Sequence, residues 1–202
     1  LSLVGSEMCI RDSSCDIQEW ERIFSIYKSY GLNHVRFHSW CPPEAAFTAA
    51  DRIGIYIQAE VLWIDWWMSV VRKERPEMTT RGLPKGLGHN PSADKFVPEE
   101  LQRMIEAYGN HPSFTMLCIG NELGNSNFDI MQQWIKSLQE KDPRRLYAIS
   151  TARKIMPADQ YMVTHNIPQT GGTYGINGSG TDNDRESIYS KATIPVSYTH
   201  LT

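Results

Sequence analysis

No Cys-x-x-Cys pair occurs among the four cysteines, Cys9, Cys15, Cys41 and Cys118. That removes the usual zinc and thiol-redox spacings, and the cysteines suggest no disulfide framework. Long apolar runs are missing too: none approaches the roughly 18–20 residues that span a bilayer. Neither charge sign dominates, with 20 Lys and Arg against 23 Asp and Glu and a net charge of -3. Such a balance gives no electrostatic basis for binding nucleic acid or an anionic membrane. The first residues have no basic stretch and too short an apolar run for a signal peptide. Internal repeats and low-complexity tracts are also absent.

What remains is ordinary globular material. The chain has 202 residues, of which 41% are hydrophobic and 21% charged, enough for one large domain or two small ones. Cys118 lies in an apolar run and reads as a small core residue.

Apolar residues recur at i, i+3, i+4 and i+7 in three places: Trp20, Ile23, Phe24 and Tyr27; Leu101, Met104, Ile105 and Tyr108; Met131, Trp134, Ile135 and Leu138. Each set forms one stripe of an amphipathic helix. Asp16 with Glu19 makes a capping box for the first. Pro98, followed by Glu99 and Glu100, suits the first turn of the second. Asn127 and Asp129 open the third. A shorter helix is expected from about Pro43 to Arg52, closed by Ile53-Gly54.

Strands alternate with these helices. Candidates are His34–His38 after the Gly31 stop, Ile55–Val61, Phe114–Ile119, Leu146–Ser150 and Tyr161–His165, with a last strand from about Thr193. The alternation predicts βαβ units and a parallel sheet. Because the order opens on a helix, a preceding strand is expected. Two long segments, Leu62–Lys95 and Asn166–Asp184, follow strand ends, where barrels build their sites.

Polar residues gather at those same ends. Arg36 and His38 share one face of their strand, since side chains alternate with period two. Glu60 ends the next strand, Asn121-Glu122 the following one, and His165 a later one. Four strand ends carrying such residues make a convergent polar rim. A competing role for Arg36 is a structural ion pair with a nearby carboxylate, and His34 suits packing at the strand start. Trp40, Trp63, Trp66 and Trp67 offer flat faces suited to sugar rings, or else pack a loop onto the barrel. Asp65 lies among them and could meet a hydroxyl or simply be solvated.

Asn110-His111-Pro112-Ser113, a strand, and then Gly120-Asn121-Glu122 resemble the acid/base signature of the glycoside hydrolase family 2 catalytic barrel, a family of β-galactosidases, β-glucuronidases and β-mannosidases. Asn33-His34-Val35-Arg36 resembles the family's Asn-x-x-Arg strand, and Ala49-Ala50-Asp51-Arg52-Ile53-Gly54-Ile55 its passage from helix to strand. The similarity spans about residues 20–165. It implies an α/β fold, a partial TIM (β/α)8 barrel with about strands two to six and the start of seven. It implies a retaining glycosidase in which Glu122 is the general acid/base. Asn121 would bind the hydroxyl beside the anomeric carbon, and Arg36 would orient the nucleophile. His38, Glu60, Trp63 and His165 join the substrate-binding set.

Retention needs a second carboxylate about 5–5.5 Å away. It is expected on a seventh strand, and Glu186, in a helical stretch before that strand, is misplaced for the part. The expectation is therefore a fragment lacking its nucleophile and inactive alone, cut from a chain that also carries β-sandwich domains. A carbohydrate is the expected partner. No cofactor and no metal are called for, and the compartment is unreadable beyond the exported bacterial parent the family suggests.

One departure stands out: where the family places a Ser-His-Tyr-Pro-like turn, this chain has Phe37-His38-Ser39-Trp40-Cys41-Pro42-Pro43, which points to an unusual substrate pocket. Residues 1–14 and 196–202 resemble translated sequencing-adaptor read-through of metagenomic origin, leaving 15–195 as the barrel segment. Two other readings stay open: a metal-dependent barrel hydrolase using His38, Glu60, Glu122 and His165, and a non-catalytic carbohydrate-binding barrel relying on the tryptophans.

Overall fold

Burial of one stripe per helix against a sheet organises the chain. The structure, a computed structural model, describes residues 15–65, 86–151, 154–164 and 192–195. Four helices are described: α1 (Ile17–Ser29), α2 (Glu44–Ile53), α3 (Pro91–Tyr108) and α4 (Phe128–Lys141). They alternate with β1 (His34–Arg36), β2 (Tyr56–Glu60), β3 (Phe114–Asn121) and β4 (Leu146–Thr151), followed by β5 (Tyr161–Thr164) and β6 (Ala192–Pro195). β1 to β4 form a parallel sheet in sequence order, and β5 pairs in parallel with β6. The α/β alternation is therefore as expected.

Side-chain alternation separates two faces of the sheet. Val35, Ile57, Ala59, Leu117, Ile119, Tyr147 and Ile149 pack with Phe24, Phe47, Leu101, Met131 and Ile135 of the helices. On the opposite face Cys118, Ala148 and Tyr161 form a smaller cluster with Met116 and Leu146. Cys118 is fully buried, as its apolar run predicts. Burial raises its thiol well above the usual range, as it does Cys41, pushed up to about 12.

The caps show how local sequence starts and stops each helix. Asp16 accepts from Gln18 N at 2.9 Å, while Glu19 pairs with Arg22 at 2.6 Å. Asn127 accepts from Asp129 N and Ile130 N. Gly54 closes α2 with φ 79°, a left-handed conformation that glycine adopts without a Cβ penalty. The second amphipathic helix starts earlier than expected. Asn90 caps it by accepting from Ala93 N, Pro91 takes the first turn, and Pro98 lies inside. The signal that wins is Asn-Pro at cap and first turn; Pro98 lies inside the helix, where it has no N–H to give to Asp94 O.

Two polar clamps fix the amino-terminal end of the sheet. Asp51 of α2 accepts from Ser113 N at 2.8 Å and meets His111 Nδ1 at 2.7 Å. His111 also stacks on Phe47, ring centroids 5.5 Å apart. The Asn-His-Pro-Ser stretch thus locks α2 to the start of β3, at the end of the strand remote from Glu122. The second clamp is Asp142, buried after α4. It pairs with Arg144 and Arg145, each at 2.8 Å, and the Arg145 guanidinium lies 4.4 Å from the Phe114 ring centroid. Side chains just before β5 bind β4: Gln160 Oε1 accepts from Tyr147 N and Asp159 Oδ1 from Ile149 N.

Hydrogen bonding to Arg144, aided by the Arg144 and Arg145 charges, holds the Asp142 carboxyl below its ordinary value. A depressed folded pKa means stability that is present above the unfolded value, about 3.9, and lost as pH falls through the folded value. Asp142→Asn should cost about 1–3 kcal/mol at pH 7. In urea titrations repeated across pH, the gap between wild type and variant should close below about pH 4. A gap constant from pH 7 to pH 2 would contradict this.

Candidate active site

The carboxyl ends of β1, β2 and β3 converge on a buried ion pair. Arg36 Nε donates to Glu60 Oε1 at 2.6 Å and Nη2 to Glu60 Oε2 at 3.0 Å. Glu60 also accepts from Ser39 N at 2.7 Å and Gln58 Nε2 at 3.0 Å. The Glu60 side chain is fully enclosed and that of Arg36 is 8% exposed. Burial pulls the guanidinium down, but the Glu60 charge and hydrogen bonds outweigh it, so its pKa rises overall. The network continues to Asn121. Its Oδ1 accepts from Arg36 Nη2 at 3.0 Å and its Nδ2 donates to Asp65 Oδ1 at 2.7 Å.

Of the expected site residues, Arg36, Glu60 and Asn121 are in one network, with Asp65 reaching His38 at 3.8 Å. Arg36 takes Glu60 as its bidentate carboxylate, the structural ion pair that the sequence left open for it. Glu60, being enclosed, supports the rim from beneath. Glu122 follows β3 directly and is half-buried. Trp63 stands out from the surface at 63% exposure. Trp40 instead joins the core edge-on to Phe37 at 5.4 Å and beside Trp20 at 6.5 Å. His165, Trp66, Trp67 and Glu186 lie outside the described residues.

The backbone is unusual at the same place. Among the described residues, the non-glycine positions with positive φ are Ser39 at 48°, Trp63 at 65° and Glu122 at 53°. Each follows one of the three converging strands. Such conformations cost of order 1–3 kcal/mol each and persist where surroundings over-determine them. Here Trp63 N donates to Ser39 O at 3.1 Å, Asn121 N to Ile64 O at 3.0 Å and Leu123 N to Ser150 Oγ at 3.0 Å. Gly120 is required by close approach: a Cβ there would collide with Ile64 O.

Sequence reasoning missed Ser39, Gln58 and Ser150 as supports. Gln58 was discoverable, since it precedes Glu60 by two and shares its face. Ser39 acts through its backbone N–H, which leaves no residue-type signal. Among the described residues no group of three or more His, Cys, Asp or Glu is placed to hold a metal ion.

A conserved-domain profile described as glycosyl hydrolases family 2, TIM barrel domain, matches residues 10–170, well over half the chain. The chain belongs to glycosyl hydrolase family 2. Within this family, the chain is 27% identical over 120 residues to a β-galactosidase of Leuconostoc mesenteroides subsp. mesenteroides, covering 57% of this chain and 10% of that protein. The fold is similar to that of Parabacteroides merdae β-glucuronidase, with TM-score 0.58 and 19% identity over 89% of this chain and 21% of that one. It is similar too to Bacteroides uniformis β-glucuronidase 3, with TM-score 0.56 and 20% identity over 75% of this chain and 18% of that one. The glycosyl hydrolase family 2 segment in hand thus spans about a tenth of the curated relative and about a fifth of these solved chains.

Two substitutions probe how the site is held. Arg36→Met leaves Glu60 buried without its guanidinium and should destabilise by about 3–5 kcal/mol, and the pair Arg36→Met with Glu60→Gln should recover part of that loss. Urea denaturation of the singles and the double measures it; strictly additive losses would mean the pair is not coupled. Gly120→Ala should lower the thermal midpoint by several degrees, because the Ile64 backbone must move. An unchanged midpoint would show that the approach is looser than described.

Proposed function

We propose that this chain carries the acid/base half of a retaining β-glycosidase site acting on oligo- or polysaccharides. The observation that carries the reading is Glu122 itself: a half-buried carboxyl on left-handed backbone at the end of β3, adjoining an Asn121 whose amide is oriented from both sides. Glu122 protonates the leaving glycosidic oxygen and then deprotonates the attacking water. Asn121 uses its second Nδ2 hydrogen for the sugar hydroxyl beside the anomeric carbon, a contact that strengthens in the transition state. Arg36 and Glu60 act one layer below by fixing Asn121, and Trp63 supplies a face for a sugar ring.

The nucleophile comes from a seventh barrel strand. The parallel pairing of β6 with β5 supports reading β6 as that strand. In this reading the complete gene product turns over substrate. The exposure of Trp63 also fits a barrel that binds carbohydrate without cleaving it, and the same experiment separates the two.

In the full-length gene product, Glu122→Gln should lower kcat/KM on an unactivated β-glycoside by about 10²–10⁴. The loss should be much smaller for a 2,4-dinitrophenyl glycoside, whose leaving group needs no proton. The first-formed sugar, followed by NMR, should keep its anomeric configuration. Equal losses on both substrates would remove Glu122 from the acid role. An inverted product would overturn retention. Oligosaccharide binding without any turnover by the wild type would favour the binding barrel.

A further inference from the structure

The chain between β2 and α3 meets the end of β3 at two points, one on each side of Glu122. Before Glu122, Asn121 N donates to Ile64 O at 3.0 Å. After it, Leu87 docks on the loop that joins β3 to α4. Ser126 Oγ accepts from Leu87 N at 2.9 Å, and Asn127 N donates to Leu87 O at 2.7 Å. Leu87 is fully enclosed, so both of its backbone groups need partners, and the loop supplies both. Gly88 shows how close the approach is: its φ is 85°, and a Cβ there would lie 2.5 Å from Asn127 Cβ. From the other side, Asp94 in the first turn of α3 accepts from Gly88 N at 2.6 Å and from Asn90 N at 3.1 Å. Leu87 and Gly88 thus form a clip between α3 and the loop that begins at Glu122.

That loop has little slack. Leu123, Gly124 and Asn125 separate Glu122 from Ser126. Gly124 N donates to Glu122 O at 2.9 Å and Ser126 N to Leu123 O at 3.0 Å, which makes two successive tight turns. A displacement of Ser126 therefore passes to Leu123 or to Glu122. Leu123 is fully enclosed, and its N donates to Ser150 Oγ of β4 at 3.0 Å. Glu122 is half-buried on left-handed backbone, φ 53°. Such backbone persists only while its surroundings impose it, so Glu122 is the residue that turns when the loop shifts.

Resting on the glycosidase reading above, we propose that Ser126 is a positioning residue for Glu122: by holding Leu87, its hydroxyl fixes the loop whose first residue carries the acid/base carboxyl. Ser126 acts through the backbone and takes no part in the chemical step. Without the hydroxyl the enclosed Leu87 N–H is left unpaired, the clip shifts, and the carboxyl loses its aim at the leaving oxygen.

The test uses the full-length enzyme with the phenyl and 2,4-dinitrophenyl β-glycosides of whichever sugar it cleaves best among glucose, galactose, mannose and glucuronic acid. Ser126→Ala should lower kcat/KM on the phenyl glycoside by about 10- to 100-fold, the cost of a misaimed group. On the dinitrophenyl glycoside, whose leaving group needs no proton, the loss should stay within about threefold. Ser126→Thr, which keeps the hydroxyl, should lie within about threefold of wild type on both. A smaller folded fraction would instead lower kcat on both substrates alike and leave KM unchanged. Should Ser126→Ala fail to fold by circular dichroism, Asp94→Asn loosens the same clip from its other side and carries the same readout. Equal losses on the two substrates, no loss in a folded variant, or a Ser126→Thr enzyme as impaired as Ser126→Ala each overturns the proposal. Glu122→Gln, assayed alongside, separates the failures. If it loses selectively on the phenyl glycoside and Ser126→Ala does not, the positioning role alone falls. If the wild type cleaves neither substrate, or Glu122→Gln lacks that selectivity, the acid/base reading falls with it.

Discussion

The Arg36–Glu60 pair is the interaction on which the site depends. Two charges lie below the rim of a parallel sheet, where neither can be hydrated as it would be in water. Desolvating them is expensive, and the pair survives because its hydrogen bonds are well directed: Arg36 Nε and Nη2 reach the two Glu60 oxygens, and Ser39 N and Gln58 Nε2 add to them. A buried pair of this kind is weak evidence for stability. Its value here is positional, because Arg36 Nη2 also reaches Asn121 and so ties β1, β2 and β3 together at one end.

That tie explains how three non-glycine residues can occupy left-handed backbone so close together. Ser39, Trp63 and Glu122 each follow a strand at the rim, and bonds at or beside each of them reach another segment. Ser39 is held through Glu60, Trp63 through Ser39, and Glu122 through its neighbours Asn121 and Leu123. Strain of this sort is supported by the rigid sheet beneath it. The sheet in turn rests on helix stripes whose burial supplies the main hydrophobic term. The opposite end of the sheet has its own polar clamps, Asp51 with His111 and Ser113, and Asp142 with Arg145. The clamps hold the scaffold while the rim is left to do chemistry.

Family membership follows from a profile match that covers most of the chain, while likenesses near 20% identity speak for the fold alone. Between those two lies the reaction, which has to be argued from the site. Asn121, next to Glu122, is hydrogen-bonded to Asp65, and Trp63 two residues before Asp65 is exposed; the sugar chemistry proposed for them rests on that arrangement. The departures at Phe37-His38-Ser39-Trp40 fall in the same region, with Trp40 turned into the core and His38 turned toward Asp65.

The sequence alone determined the order of elements, because periods of 3.6 and 2 are local and survive without tertiary contacts. It determined the caps at Asp16 and Asn127, the stop at Gly54 and the burial of Cys118 for the same reason. It also placed Asn121 and Glu122 at a strand end, since a Gly-bounded apolar run leaves little room for another register. It misplaced the start of α3, where two proline signals competed and Asn90-Pro91 prevailed over Pro98. Only the tertiary structure decided who pairs with whom. Arg36 could have met any nearby carboxylate, and Glu60 lies one strand away at bidentate distance. Trp40 and Trp63 look alike in sequence, but one finds Trp20 and Phe37 while the other meets solvent. Asp65, ambiguous as a letter, became the partner of Asn121 because the chain after β2 folds back over Gly120. Such pairings depend on distances between strands far apart in sequence, and no local pattern encodes them.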